Sequence, residues 1–525
     1  MRPVDRRTLL RAALATAGAG LLASCGEDNT PAGSMDHQSM GHGSMGHDSM
    51  GHDTAATPTP HPTGRLPKGF VGPDGPQVRA AEAARKPGRI RDFRLTATTG
   101  QIDLGGKTVS TWTYGGRLPG KPIRVTAGEV VRARLSNQLP ADTTVHWHGL
   151  SLRNDADGVP GVTQKNVPTG KEFTYEFTAA NPGTYWFHPH TGPQLDRGLY
   201  APLIVDDPNE PLDYDDEWIV VLDDWLDGVT GTPERVLAEL RRGMGGGMSG
   251  DSGYMMMGAT SPVLGGDAGD VRYPHFLVNG RLPSAPASYR GKPGVRLRIR
   301  FVNASGDTAF RVALGGHRMT VTHTDGYAVN PVQTDALLLG MGERYDVLVT
   351  LGSGVFPLAG VAEGKKASAL AVVRTGAGSA PTTRTRPREL DGHLVSYREL
   401  KPADDVRLAN RAPDRTETLK LTGSMMKYDW AFDGKPYDLS HVTPVRAGER
   451  VRLNFVNTTT MWHPIHLHGH TFALGNGLRK DTAIVLPRKT LTVDFDADNP
   501  GIWMVHCHNV YHAEAGMMTL LGYRT

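Results

Sequence analysis

Cysteine is nearly absent: the 525 residues hold two, Cys25 and Cys507. A disulfide-built fold is thereby excluded, and so is a structural zinc site of the kind that needs paired cysteines at short spacing. Charge of one sign is lacking too. Basic residues number 57 and acidic residues 54, a formal net charge of +3, which argues against a nucleic-acid partner or a polybasic membrane patch. Long apolar runs are missing. The one stretch of that character, Leu9 to Leu22, is too short to span a bilayer as a mature helix. Glycine (64) and proline (37) are plentiful beside 38% hydrophobic residues, the balance of a β-rich chain with many turns. This length exceeds one core, so two to four domains are expected.

Arg6-Arg7 precede the apolar run and Leu22-Ala23-Ser24-Cys25 closes it, the layout of a signal peptide over residues 1–25. Asp5-Arg6-Arg7-Thr8-Leu9-Leu10 resembles a twin-arginine export signal. Leu-Ala-Ser-Cys resembles a bacterial lipobox, whose Cys25 is lipidated after cleavage. The expectation is an exported protein of the cell envelope. It would be lipid-anchored to the outer side of the plasma membrane or held in the periplasm. Cys507 is then without a disulfide partner, and is a buried thiol, a reactive thiol or a metal ligand. Residues 26–88 are polar and rich in Gly, Ser, Pro and Thr, and are expected to form a disordered tether.

Strand signals dominate beyond the tether. Ala127-GEVVRARLSNQL, Pro293-GVRLRIRFVNAS and Ala447-GERVRLNFVNTT echo one another: a glycine, then alternating apolar and polar residues, then asparagine. Period two marks a half-buried strand. Their wide spacing marks three similar β domains rather than a short-period solenoid. Junctions near Asp206–Pro211 and Thr375–Pro387 give domains at residues 89–206, 207–386 and 387–525. A helix is expected over Pro233 to Arg242. A second echo joins only the outer domains: Asn181-PGTYWFHPH and Asn499-PGIWMVHCH. The middle domain lacks it and reads as a spacer or the carrier of something else.

Histidine concentrates in four places. These are His146-Trp147-His148, His188-Pro189-His190, His463-Pro464-Ile465-His466-Leu467-His468-Gly469-His470, and His506-Cys507-His508 followed by His512 and Met517. In a strand, residues i and i+2 point to one side, so each His-x-His presents two imidazoles on one face. Four such pairs offer eight nitrogen ligands, more than isolated core or surface histidines explain. The last cluster indicates the metal. Two imidazoles, a thiolate and a weak thioether make a blue-copper site. Cys507, His512 and Met517 are close in sequence, and His463 can add the second imidazole from a neighbouring strand. Along His506-Cys507-His508 the thiol faces one way and both imidazoles the other. Copper on the thiolate is then a few covalent bonds from copper on the imidazoles. Electrons taken up singly at the first can pass to the second, where O2 takes four.

These motifs, their order and their places near both ends of a three-repeat chain resemble the multicopper oxidases. That family of three-domain cupredoxin enzymes includes laccases, ascorbate oxidase and bacterial copper-efflux oxidases. The likeness covers residues 89–525. It implies an all-β fold of three cupredoxin-like Greek-key β-sandwich domains in tandem. It also implies four copper ions: one type 1, one type 2 and two type 3. Type 1 copper would take His463, Cys507, His512 and axial Met517, a thioether that lowers the potential relative to an apolar residue. Type 2 copper would take His146 and His466. The type 3 pair would take His148, His188 and His506 on one ion, and His190, His468 and His508 on the other. Asp157 matches an aspartate that aids proton delivery, its plain alternative being a turn residue before Gly158. Many bacterial members carry Glu directly after the second type 1 histidine. Here Ala513 stands there and Glu514 follows, which makes Glu514 the weaker relay.

The electron donor is less legible. Met244, Met248, Met255, Met256 and Met257 stud a Gly-rich insertion in the second domain, and soft thioethers select Cu(I). Resemblance to copper-efflux oxidases implies Cu(I) capture there and oxidation of Cu(I) to Cu(II) with O2 reduced to water, in copper resistance. A laccase-like phenol oxidase is the alternative within the class. A non-enzymatic copper-storage or delivery protein is the alternative outside it, and copper nitrite reductase would not need all four His pairs. The tether repeats Ser-Met-x-His-x four times, placing Met35, His37, Met40, His42, Met45, His47, Met50 and His52 in one run. It reads as a loose copper collector acting through effective concentration, or as a plain stalk. Met425-Met426 read as core or turn, and His470 as surface or as support for a ligand.

Overall fold

The computed structural model describes residues 63–243 and 253–525. Cys25, the Met/His repeat, Met244 and Met248 lie outside the described residues. The chain forms three two-sheet sandwiches. Four strands pack on four in the first, and six on five in the second and third, with a two-stranded ribbon at Thr260–Ser261 and Gly266–Asp267.

The three echoed segments occupy one topological place. Val130–Gln138 runs parallel to Ile90–Asp103, Arg296–Asn303 to Asp216–Trp225, and Arg450–Asn457 to Arg415–Thr422. In each partner sheet a second parallel pair recurs: Ile123–Thr126 with Ala201–Asp206, Ala287–Arg290 with Ala367–Arg374, and Val442–Val445 with Met518–Tyr523. Such parallel pairs inside largely antiparallel sandwiches come from strands that cross between sheets. The alternation does its expected work in the outer domains. Val131, Ala133 and Leu135 are buried while Arg134 is exposed, and Val451, Leu453 and Phe455 are buried in the third domain. It fails in the second domain, where Arg298 and Arg300 are also buried. There the polar face is an interface. Both arginines pair with Asp346 (2.6 and 2.9 Å), and Arg300 donates to Thr184 Oγ1 of the first domain at 2.9 Å.

Two glycines of the Asn-Pro-Gly echo sit where another domain comes close. A side chain on Gly183 would meet Gly326 Cα at 2.6 Å, and one on Gly501 would meet Asn154 Cγ at 2.4 Å. Asn154 then completes the seam like a short strand, donating to Ile502 O (2.7 Å) and accepting from Ile502 N (3.0 Å).

The tether expected to reach residue 88 is structured over its last part. Thr63 bridges Asp438, and helix α1 (Pro76–Ala84) follows. Gly75 with Pro76 starts this helix, and Val78 and Glu82 are buried against the sandwiches. Helix α2 (Pro233–Leu240) begins at Thr232, whose hydroxyl caps Arg235 N. Helix α3 (Val510–Ala515) is capped by Asn509, which accepts from Tyr511 N and His512 N. That cap fixes where His512 stands relative to Cys507.

Candidate metal centre

The histidine motifs lie on matched strands of the outer domains. His146–His148 pairs antiparallel with Gly183–His188 so that His146 faces His188. His463–Leu467 pairs with Ile502–Cys507 so that His466 faces His506. The two domains thus present the same arrangement, and they bring it together face to face. His146 stacks on His468 at 3.7 Å and His148 on His466 at 3.8 Å between ring centroids. Among the described residues, ligand atoms converge in His148–His188–His508, in His190–His468–His506, in a set holding His146 and His466, and in His463–Cys507–His512.

One expected grouping is corrected. His508, not His506, joins His148 and His188, and His506 joins His190 and His468. The reason is the symmetry of the seam. Exchanging the outer domains maps 148 onto 468, 188 onto 506 and 190 onto 508. Only the observed sets map onto each other, two imidazoles from one domain and one from its mate.

The buried ring nitrogens fit copper. His146 Nε2, His148 Nδ1, His188 Nε2, His466 Nε2 and both nitrogens of His508 have no hydrogen-bond partner, a costly state unless an ion takes them. In four of these rings the other nitrogen is held. His146 Nδ1 meets Asp157 O at 2.9 Å, and His188 Nδ1 meets Pro189 O at 2.9 Å. His466 Nδ1 meets Asp481 O at 2.9 Å, and His148 Nε2 meets Asp481 Oδ1 at 3.2 Å. A ring fixed on one side and open on the other is the mark of an imidazole ligand. Burial first, then neighbouring imidazoles, hold His148, His188, His190, His468, His506 and His508 well below the usual histidine range. They are neutral and free to coordinate.

Two carboxylates tie the seam together. Asp157 reaches His146 Nδ1 (3.1 Å) in its own domain and His468 Nδ1 (3.0 Å) in the other. Asp481 does the same from the third domain, with His466 Nδ1 (3.5 Å) and His148 Nε2 (3.2 Å). Burial raises Asp481, but Arg344 overrides it and holds this carboxyl well below the usual range. Arg344 comes from the second domain, as does Gly342, where a side chain would strike His508 Cδ2 at 2.9 Å and His148 Cε1 at 3.1 Å. The middle domain is therefore no mere spacer.

The thiol set is compact. Cys507 Sγ lies 3.7 Å from His463 Nδ1 and 3.6 Å from His512 Nδ1, and the two nitrogens are 3.1 Å apart. All three residues are closed to solvent, as is Met517, whose carbonyl accepts from Cys507 N at 3.1 Å. The far nitrogens are held by Thr459 Oγ1 on His463 and Asp270 Oδ2 on His512, both at 2.9 Å. Burial lowers His512, but Asp270 wins and pushes it up to about 10. The Asp270 contact at Nε2 also fixes the ring so that Nδ1 faces the thiol. Asp270 is the end of a short path to the methionine segment. Met256 N donates to Asp270 O at 2.7 Å, and Met255 bridges Val271. Met255 is buried, Met256 half-buried and Met257 55% exposed, so the three thioethers range from core to surface. Met425 is partly buried, whereas Met426 is exposed.

Glu514, on α3, borders a cavity of about 30 Å3 lined also by His188, His190, His506 and His508. Burial pushes its carboxyl up to about 7 against the pull of Arg241. The cavity holds one or two waters by size, so Glu514 stands where a proton can meet the imidazole cluster. His470 is buried and bonds His468 O at 3.1 Å and Tyr523 Oη at 2.6 Å. Sequence reasoning missed Asp481, Arg344 and Asp270. Each lies on a stretch without repeat or motif, and each acts across a domain boundary.

Fold and site together define a multicopper oxidase, and sequence comparison agrees. Multicopper oxidase family profiles match residues 96–210, 216–375 and 410–524, and the chain belongs to that family. It is 50% identical to multicopper oxidase MmcO of Mycobacterium tuberculosis, over 85% of this chain and 90% of that one. It is 28% identical to copper resistance protein A of Escherichia coli, over 81% and 91%. Among solved structures, laccase from Botrytis aclada superposes with a TM-score of 0.69 at 25% identity, over 83% of this chain and 88% of that one. The family carries four coppers, type 1, type 2 and a type 3 pair. When bound, they store single electrons and release four to O2.

Proposed function

We propose that this oxidase acts chiefly on Cu(I), converting it to Cu(II) outside the cytoplasm as a step in copper resistance. The observation that carries the reading is the bonded path from the methionine segment through Asp270 to His512. Thioethers prefer Cu(I), and Asp270 gives the oxidised ion a hard oxygen partner. The convergence of ligand atoms in the four sets supports the copper roles that the family resemblance implies. His463, Cys507, His512 and Met517 hold type 1 copper, and His146 with His466 hold type 2. The two mixed triads hold type 3, with Asp157 and Glu514 handling protons. Export, a lipid anchor at Cys25 and copper collection by the Met/His repeat belong to the same reading. A tethered oxidase beside a metal-collecting tail meets its substrate at raised local concentration.

The test is a triple Leu replacement of Met255, Met256 and Met257, assayed with Cu(I) and with a phenol. Cu(I) turnover falls several-fold while phenol turnover holds. Unchanged Cu(I) turnover would overturn the reading and favour the laccase-like alternative, which the likeness to fungal laccases supports. A storage protein would have no use for complete triads that draw ligands from two domains.

A further inference from the structure

We propose that residues 63–87 form a clasp across the seam between the first and third domains, and that the triad coppers are retained through it. The segment makes contacts on both sides of that seam and none of the ligands.

Its first half lies on the third domain. Thr63 Oγ1 donates to Asp438 Oδ2 (2.9 Å), Leu439 N to Thr63 O (2.9 Å), and Val71 N to Tyr523 O (2.8 Å). Phe70 fills a cradle that a side chain on Gly522 would occupy, 2.7 Å from its ring. Leu66 and Phe70 pack in one apolar cluster with Val159 and Val162 of the first domain and Ile502 and Met504 of the third. Val159 follows Asp157 by two residues, and Met504 precedes His506 by two.

Its second half crosses the seam through one ion pair. Glu82 accepts from Thr178 N (2.7 Å) and Thr178 Oγ1 (2.6 Å) in the first domain. Arg85 donates to Glu82 at 2.8 Å and to Asn499 Oδ1 of the third domain at 2.8 Å. Asn499 Nδ2 in turn holds Leu152 O (3.0 Å) and Gly469 O (2.9 Å), the latter beside His468. The clasp thus closes on the two loops that carry Asp157 and His468, which themselves meet at 3.0 Å.

The two kinds of site respond differently to such a clasp. Each triad mixes imidazoles of both domains, so it loosens whenever the seam opens. The thiol set draws His463, Cys507 and His512 from the third domain alone. Only the first kind needs the clasp. The inference rests on the ligand sets and not on the substrate, so its failure leaves the Cu(I) reading untouched.

The test uses copper-loaded full-length protein with Arg85→Ala, and separately Phe70→Ala, exposed to a copper chelator. Copper per chain is followed by elemental analysis, and the thiolate–copper site by its visible absorption. In Arg85→Ala, copper falls from four per chain toward one about tenfold faster than in the parent, the scale of one charge-assisted hydrogen bond. The visible band persists. Arg85→Ala removes no core atoms, so it guards against misfolding of Phe70→Ala. Equal loss rates in Arg85→Ala and the parent, or loss of the visible band in step with the rest, would overturn the proposal.

Discussion

Arg344 and Asp481 share two parallel hydrogen bonds of 2.7 and 2.6 Å, with both side chains wholly buried. The arginine also donates to Thr184 O of the first domain at 3.1 Å, so one guanidinium touches all three domains. Removing one partner of a buried pair leaves the other charge uncompensated and costs about 3–5 kcal/mol. Arg344→Met is expected to lower stability on that scale and to strip the triads of copper, because Asp481 then loses its fixed place under His148 and His466. Denaturant unfolding with copper analysis checks both.

Asp157 contacts one imidazole from each outer domain and has two separable jobs. Asp157→Asn keeps the shape but cannot pass a proton as a carboxylate does. It is expected to retain copper and lose turnover by roughly 100-fold, the lower range for a positioned acid or base. Asp157→Ala also frees the two rings and weakens copper retention by roughly 10- to 100-fold. Turnover against copper content separates the two.

A carboxylate bonded to the far side of a coordinating imidazole makes that ring a better donor and favours the oxidised ion. Asp270→Asn is therefore expected to raise the potential of the thiolate-bound copper. Redox titration of its visible band reads this directly. An unchanged potential means that Asp270 does not bond His512 in the loaded protein.

The interface of the first two domains should set acid stability. Burial raises Asp346, yet Arg298 and Arg300 prevail and hold it at about 2. Burial lowers His323 to about 4. The depressed carboxylate stabilises the fold above its unfolded value near 4, and that stability is lost as pH falls toward 2. The depressed imidazole adds a loss between about 6.5 and 4, where the unfolded chain takes up a proton the folded one refuses. Urea midpoints followed from neutral to acid pH read both contributions. His323→Gln should flatten the upper part of the slope and Asp346→Asn the lower.

Much of the centre was legible because the signals are short-range. Alternation on strands puts His146 with His148 and His506 with His508 on shared faces, and the helix cap at Asn509 keeps His512 near Cys507. What was not legible depends on docking. The same alternation cannot say whether His506 or His508 reaches across to His148, since both point to one side and only the apposed domain chooses. Asp481 stands in Arg479-Lys480-Asp481-Thr482 with nothing to mark it, and its likeness to Asp157 is visible only through the pseudo-symmetry. Helix α1 was missed because it sits in Gly- and Pro-rich surroundings, and its stability comes from Thr178 and Asn499 rather than from its own sequence.

Each triad draws on strands of the first and third domains that are far apart in sequence. His190 and His506, members of one triad, are separated by 316 positions. A chain cut between the first and third domains therefore leaves neither piece with a complete triad. The middle domain that separates them in sequence also supplies Arg344, which holds Asp481 under His148 and His466. Assembly of the triads is thus a report on the docking of all three domains.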